Sequence, residues 1–205
     1  MTRTAVIDYG LCNLDSIARA IEECGGDPFV TADPFSLCHA SKIVLPGVGA
    51  FGDAMNNLRD SGLSEALSQF VIEQGVPFLG ICLGMHLIAR GGEEDSGVDG
   101  LGWIDAQVVK MKPRSPGERV PHVGWNEVTA TEGMPLFEGI CSGADFYFVH
   151  SYHVECADTA LVAGMTPYCG GIASVVAVKN IMGVQFHPEK SQKPGFQLLK
   201  NFLAL

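Results

Sequence analysis

Positive charge is scarce in this chain. Its 205 residues include 13 Lys and Arg against 23 Asp and Glu, which gives a formal net charge of −10 with histidine neutral. A phosphate backbone and an anionic membrane surface both attract clustered Lys and Arg. The composition therefore argues against nucleic acid and against a membrane as partners.

Long apolar runs are also absent. The longest, around residues 76–89, is broken by glycines and by His86, and it is shorter than the ~20 residues that a membrane span needs. The N-terminal stretch places Asp8 inside what would have to be the apolar region of a signal peptide. We therefore expect a cytoplasmic protein.

Paired and regularly spaced cysteines are missing. The seven cysteines are odd in number and include no Cys-x-x-Cys pair, and a chain of this length buries a sufficient core without cross-links. Reduced thiols are predicted. His150 and His153 have a spacing that suits a metal, but no cluster of acids or cysteines accompanies them. We expect neither a metal site nor a cofactor.

Strand-like and helix-like segments alternate in the first half of the chain, and strands dominate from about residue 100. The predicted strands are residues 4–8, 42–45, 77–81, 107–111, 146–149, 175–178 and 182–186. The predicted helices are one capped by Asn13, one over 50–74 interrupted at Gly62, and one over 194–205. This order predicts an α/β fold, a three-layer αβα sandwich with a mostly parallel central sheet and an antiparallel extension. We expect a single domain over residues 1–205.

The most informative segment is Val76–His86, in which Cys82 lies between Gly80 and Gly84 where a strand turns into a helix. This is the pattern of a nucleophile elbow, a strained turn whose flanking positions tolerate no side chain. A helix over residues 85–90 would direct its N–H groups toward the sulfur and favour the thiolate. The alternative is a buried cysteine at a glycine-rich strand end.

A cysteine nucleophile needs a base, and the base needs an orienting acid. His187-Pro188-Glu189 supplies both. Pro188 favours an extended backbone at His187, and in an extended segment Glu189 would lie on the same side as the imidazole. A solvated His-Pro turn on the surface is the alternative interpretation.

Besides a nucleophile and a base, such a catalytic site needs N–H donors that stabilise a developing oxyanion. Pro46-Gly47-Val48-Gly49 follows a predicted strand directly, and its glycines free the backbone to aim N–H groups at such an oxygen. The N–H of Leu83, just after the candidate nucleophile, would complement them. An ordinary glycine-rich turn between strand and helix is the alternative.

These three motifs, in this order and spacing, resemble the class I (triad) glutamine amidotransferases. Within that family the chain is most similar to the branch of glutaminase subunits of imidazole glycerol phosphate synthase. The resemblance covers essentially the whole chain and includes segments 8–10, 121–126, 146–152 and 186–191, of which the last three are specific to that branch.

The resemblance implies a glutaminase in which the Cys82 thiolate attacks the carboxamide of L-glutamine. His187 would protonate the leaving ammonia, Glu189 would orient His187, and water would then hydrolyse a glutamyl thioester. The ammonia would pass to a (β/α)₈-barrel cyclase, the heterodimer partner, which builds an imidazole ring and releases an aminoimidazole carboxamide ribotide in histidine biosynthesis.

The resemblance also assigns residues beyond the triad. The oxyanion hole would consist of Gly47, Val48 and Leu83. The glutamine pocket would be lined by Gly49, His86, Ser151 and Tyr152. The partner interface would include Asn13, Pro121, Trp125 and Lys190.

Two positions depart from the family pattern. His86 replaces the usual Gln, so the ring could become cationic and stabilise a thiolate, or it could simply fill the pocket wall. Cys12 stands where a glycine is common before Asn13, which suggests an altered partner surface.

Three other functions fit parts of the pattern. A paralogous amidotransferase could feed ammonia to a partner that aminates a surface-polysaccharide sugar. A catalytically dead binding module would keep the elbow without its chemistry, and a cysteine hydrolase would act on peptides without any partner.

Overall fold

The computed structural model describes residues 3–94 and 97–205, and this part of the chain contains twelve strands and five α-helices. The strands are β1 (Arg3–Ile7), β2 (Asp27–Thr31), β3 (Lys42–Gly47), β4 (Phe78–Cys82), β5 (Gly91–Gly92), β6 (Ala106–Lys110), β7 (His122–Ala130), β8 (Ala144–His150), β9 (Tyr152–Cys156), β10 (Val162–Thr166), β11 (Ile172–Val178) and β12 (Ile181–Val184). The helices are α1 (Leu14–Glu23), α2 (Phe51–Asp60), α3 (Leu63–Ser68), α4 (Leu83–Leu87) and α5 (Gln192–Ala204). None of the described helices is long and apolar enough to cross a membrane.

Five strands form the parallel half of the sheet, in the order β2-β1-β3-β4-β12. Their residues alternate between two apolar cores because successive side chains of a strand point to opposite faces. In β3, Ile43 and Leu45 enter the core beneath α2 and α3, whereas Val44 enters the core beneath α1 and α5. The predicted three-layer arrangement is confirmed.

The sheet continues beyond β12 with antiparallel strands. Strand β11 pairs with β12, β10 with β11, β7 with β10, and β8 with β7. A branch formed by β9, β6 and β5 leaves this path at β11. The predicted antiparallel extension is therefore also confirmed, although β2, β5, β7, β9 and β10 were missed by the hydrophobic pattern.

Several local predictions are confirmed and others are wrong. Gly62, with φ of 72°, separates α2 from α3 as predicted. Asn13 is at the N-cap position of α1, but its side chain makes no capping hydrogen bond. The closing helix begins at Gln192 instead of residue 194, and its buried face contains Leu198, Leu199 and Phe202.

Candidate active site

Cys82 lies at the junction of β4 and α4, on the strained turn that the sequence predicts. Its φ of 54° and ψ of −108° are unusual for a residue with a side chain, and the residue is only 6% exposed. A Cβ on Gly80 would lie 2.5 Å from the carbonyl oxygen of Gly84, and one on Gly84 would overlap the carbonyl of Leu45. The two flanking glycines are therefore required by close backbone packing.

Helix α4 is shorter than predicted and starts earlier. It covers Leu83–Leu87 rather than residues 85–90, so it forms little more than one turn directly after Cys82. Leu83 is its first residue, where a backbone N–H has no acceptor within the helix. This N–H is thus available to a group bound beside the sulfur.

The candidate base and acid are in contact. His187 Nδ1 and Glu189 Oε1 are 2.8 Å apart, and their side chains are 4% and 5% exposed. His187 has the predicted extended backbone, but Pro188–Lys190 forms a 3₁₀ turn. The predicted extended geometry of Glu189 is therefore wrong, because a turn and not strand alternation brings the carboxylate back to the ring.

The surroundings of His187 favour its protonated form. Burial by itself lowers its pKa, but the interactions with Cys82 and Glu189 outweigh burial and raise the pKa to about 10. Among the described residues, Nε2 of His187 is buried and has no hydrogen-bond partner. A cationic imidazole beside a sulfur favours the thiolate and can later deliver its proton to a leaving group.

One N–H group of the candidate oxyanion hole is bonded within the protein. The N–H of Val48 donates to the carbonyl oxygen of Leu11 at 2.8 Å and is therefore not directed at a substrate. Gly47 pairs with Cys82 in the sheet, and a Cβ on Gly47 would overlap the hydroxyl of Tyr9. That hydroxyl is buried without a hydrogen-bond partner in the described part of the chain.

A cleft of about 320 Å³ opens above Cys82. It brings together most of the residues that the sequence assigns to the oxyanion hole and the glutamine pocket, namely Val48, Gly49, Leu83, His86, Ser151 and Tyr152. A cleft of about 410 Å³ next to the 3₁₀ turn Pro135–Phe137 has no cysteine or histidine in its lining. The cleft at Cys82 is thus the candidate substrate site.

Three residues of the cleft wall, Glu94, Val149 and His150, were not predicted. Glu94 accepts a hydrogen bond of 3.0 Å from the backbone N–H of Phe51, at the start of α2. His150 was considered only as a metal ligand. The described residues contain no group of three or more His, Cys, Asp or Glu side chains that is suited to a metal ion.

His150 instead belongs to a hydrogen-bonded chain that ends at the cleft. Its Nδ1 donates to the carbonyl oxygen of Tyr152 at 2.8 Å, so its Nε2 accepts from Nδ1 of His122 at 3.0 Å. Nε2 of His122 then accepts from the amide of Asn126 at 3.2 Å. Burial lowers the pKa of His122 to about 4 and that of His150 to about 3, so both rings are neutral.

The four predicted interface residues, Asn13, Pro121, Trp125 and Lys190, are all exposed. Apolar side chains accompany them near the mouth of the cleft. Val123 is 57% exposed, Trp125 48% and Val149 37%. Val123 pairs with Val149 across β7 and β8, while Pro121 and Val149 also line the cleft. An exposed apolar surface therefore borders the candidate substrate site.

Cys12 does not extend this surface as its position in the sequence suggested. It is partly buried, and its thiol points toward the carbonyl oxygen of Ile7 at 3.6 Å, with a carboxylate oxygen of Asp8 at 4.0 Å. Burial raises the pKa of this thiol. The side chain therefore shapes the loop between β1 and α1 from within.

The family model of class I glutamine amidotransferases matches residues 5–205. The chain belongs to this family. It is 45% identical to imidazole glycerol phosphate synthase subunit HisH 2 of Nitrobacter winogradskyi, over 99% of this chain and 98% of that protein. It is also 45% identical to subunit HisH of Moorella thermoacetica, over 98% and 94%.

Solved structures agree with the fold at low sequence identity. The structure of PurLQS from Thermotoga maritima aligns with a TM-score of 0.78 at 18% identity, covering 99% of this chain and 98% of that one. Such a likeness concerns the architecture alone. The family model and the HisH relatives, in turn, identify the chain as a glutamine amidotransferase.

Proposed function

We propose that this amidotransferase hydrolyses L-glutamine with a Cys82-His187-Glu189 triad and passes the ammonia to a (β/α)₈-barrel cyclase subunit. The two proteins would act as an imidazole glycerol phosphate synthase in histidine biosynthesis. The names of the HisH relatives support the assembly and the pathway. The observation that carries the chemistry is the strained Cys82 next to a buried, hydrogen-bonded His187–Glu189 pair.

The first half-reaction acylates the sulfur. The Cys82 thiolate attacks the side-chain carbonyl carbon of glutamine, and the resulting oxyanion accepts hydrogen bonds from the N–H of Leu83 and, once it has been released from the carbonyl oxygen of Leu11, from the N–H of Val48. His187, already protonated, gives its Nε2 proton to the departing nitrogen as the C–N bond breaks. Ammonia and a glutamyl thioester result.

The second half-reaction restores the enzyme. His187, now neutral and held by Glu189, takes a proton from a water molecule as the oxygen attacks the thioester carbon. The C–S bond then breaks and glutamate leaves. No cofactor is required for either half-reaction.

The cyclase would dock on the exposed surface that includes Asn13, Pro121, Trp125 and Lys190. Pro121 lines the cleft and Trp125 is exposed on β7, which begins one residue after Pro121, so a partner seated there would lie close to the site of ammonia release. This proximity favours direct transfer of unprotonated ammonia. The seven free cysteines support a reducing, cytoplasmic setting, and we assign residues 1–205 to one catalytic domain.

The Cys82→Ala variant tests whether glutamine hydrolysis and imidazole glycerol phosphate synthesis are carried by different subunits. In the reconstituted complex, we expect glutamine-dependent synthesis of imidazole glycerol phosphate to be lost, while synthesis from added ammonium salt continues. The measurement is product formation from each nitrogen source. Loss of both activities in a complex that still assembles would contradict the division of labour between the subunits.

The identity of the substrate that accepts the ammonia needs a separate test. HisH 1 and HisH 2 of Methanococcus maripaludis are each 44% identical to this chain, so identity does not distinguish between paralogous subunits of one organism. A second candidate partner therefore remains a cyclase-like protein that aminates a surface-polysaccharide sugar. Reconstitution with each partner and its substrate would decide, because only the correct pair turns over glutamine and forms an aminated product.

A further inference from the structure

A fully buried glutamine, Gln185, links two residues of the cleft. Its Oε1 lies 2.8 Å from Nε2 of His86, and its Nε2 lies 3.8 Å from Sγ of Cys82. His86 and Cys82 are 5% and 6% exposed. The link is a consequence of sheet register. Val184 of β12 pairs with Ile81 of β4, so the residue that follows each of them comes to the same level of the sheet.

The amide of Gln185 has a definite orientation. Its NH₂ group faces Cys82 and its carbonyl oxygen faces His86, which is the orientation that a thiolate requires because a thiolate can only accept hydrogen bonds. That oxygen needs a donor, so Nε2 of His86 carries the ring proton. The three side chains form a directed chain from His86 through Gln185 to Cys82.

Burial keeps His86 neutral. It lowers the pKa of the ring to about 4, with His153 acting in the same direction, although the hydrogen bond to Gln185 acts in the opposite one. A neutral imidazole has a single N–H to donate. In His86 this N–H is used by Gln185, so the ring acts on the sulfur through that amide.

We propose that Gln185 is a catalytic residue that donates a hydrogen bond to the Cys82 thiolate, and that His86 is a positioning residue that holds the donor in place. The inference rests on the proposed function, because it assigns a role toward the nucleophile. His187 and Gln185 would then stabilise the thiolate together. His86, which departs from the family pattern, acts through Gln185 and not as a passive part of the wall.

The expected effect is modest because the N–H to sulfur contact is long. Removing the donor should raise the pH midpoint of Cys82 reactivity by about one unit, which makes alkylation about tenfold slower below the midpoint. Gln185→Met removes the donor at similar volume. His86→Phe keeps a ring but leaves the Gln185 carbonyl without a partner, so we expect a shift in the same direction.

The experiment follows the alkylation of Cys82 by iodoacetamide as a function of pH in the full chain. Mass spectrometry of the Cys82 peptide separates this thiol from the other six cysteines. His86→Gln serves as the conservative variant, since its amide can donate to Gln185, and we expect it to return the midpoint toward that of the unmodified chain. A merely structural role would not produce this pattern of shift and rescue.

Ser174→Ala is the matched control. Ser174 Oγ makes a buried hydrogen bond to Thr166, and the Ser174 carbonyl accepts the backbone N–H of Gln185, but its side chain is not part of the chain to the sulfur. The inference would be overturned by an unchanged midpoint in folded Gln185→Met and His86→Phe, or by an equal shift in the control. If Gln185→Met does not fold, the two His86 variants decide. Failure of Cys82 to react in the unmodified chain would contradict the proposed function, and the inference with it.

Discussion

The Gly80→Ala substitution should change the geometry of the turn at Cys82 while leaving Cys82, His187 and Glu189 in place. Gly80 lies in β4, two residues before Cys82, and touches no predicted substrate group. The new Cβ would lie 2.5 Å from the carbonyl oxygen of Gly84, 2.7 Å from its carbonyl carbon and 2.9 Å from the backbone nitrogen of Met85. All three neighbours are backbone atoms of α4, so the whole helix must move.

The size of the movement follows from these contacts. Ordinary contacts of a Cβ begin at 3.4 Å, so α4 must shift by roughly 0.9 Å away from β4. Because Leu83 is the first residue of α4, its N–H moves with the helix. Misplacement of a catalytic group by about 1 Å can reduce a rate by ~10²-fold. Overpacking of this kind destabilises a fold by about 1–3 kcal/mol.

The assay is steady-state glutamine hydrolysis by the complex, together with thermal unfolding of the isolated chain. We expect kcat to fall by about two orders of magnitude with a smaller change in KM, because the affected donor acts on the oxyanion. The melting temperature should fall by about 4–8 °C for a loss near 2 kcal/mol. At room temperature the variant should remain folded, so the loss of kcat reports geometry.

Gly91→Ala provides the comparison. Gly91 has no positive φ, and the nearest atom to its new Cβ is the Val98 carbonyl oxygen at 3.3 Å, so little has to move. It introduces the same methyl group and the same change in the unfolded chain. A kcat for Gly80→Ala within a factor of three of the Gly91→Ala value would refute the reasoning.

Three further predictions concern single interactions. The pKa of His187 is raised from 6.5 to about 10, so its charged form stabilises the fold fully below pH 6.5 and this contribution is lost as pH rises through 10. In the Glu189→Gln variant, the free energy of unfolding measured with urea should begin to fall at a lower pH than in the unmodified chain. Identical pH profiles of the two proteins would be inconsistent with a stabilising His187–Glu189 interaction. Tyr9→Phe removes a buried hydroxyl that has no partner among the described residues, so the melting temperature should rise by about 2–4 °C; a fall would show that the hydroxyl is bonded. The isolated chain should hydrolyse glutamine at least ~10²-fold more slowly than the complex, because the N–H of Val48 is bonded to Leu11; full activity without a partner would contradict this interpretation.

The antiparallel half of the fold and the parallel edge strand β2 were the harder parts to predict. Strand β7 exposes Val123 and Trp125 on one face and has Gly124 between them. Its sequence therefore lacks the apolar alternation that is typical of a half-buried strand. Strand β2 contains Pro28, which lowers strand propensity and is tolerated because β2 is the edge of the sheet. Strand β2 pairs with β1, and β7 pairs with β8 and β10, so both strands depend on partners outside their own segment.

The sequence by itself determined the turn at Cys82. Gly80 and Gly84 are set by contacts with residues close in the chain or in the adjoining strand, and such local constraints leave a readable spacing. It also determined the proximity of His187 and Glu189, because two residues separated by one proline cannot lie far apart, although it did not determine the 3₁₀ turn that joins them.

Only the tertiary structure decided which distant groups meet the sulfur. Gly47 reaches Cys82 through the pairing of β3 with β4, and Gln185 reaches it through the pairing of β4 with β12. A shift of either pairing by one residue would turn these groups to the other face of the sheet. Register is fixed by the packing of both cores against the helices, a property of the whole fold that no single motif contains.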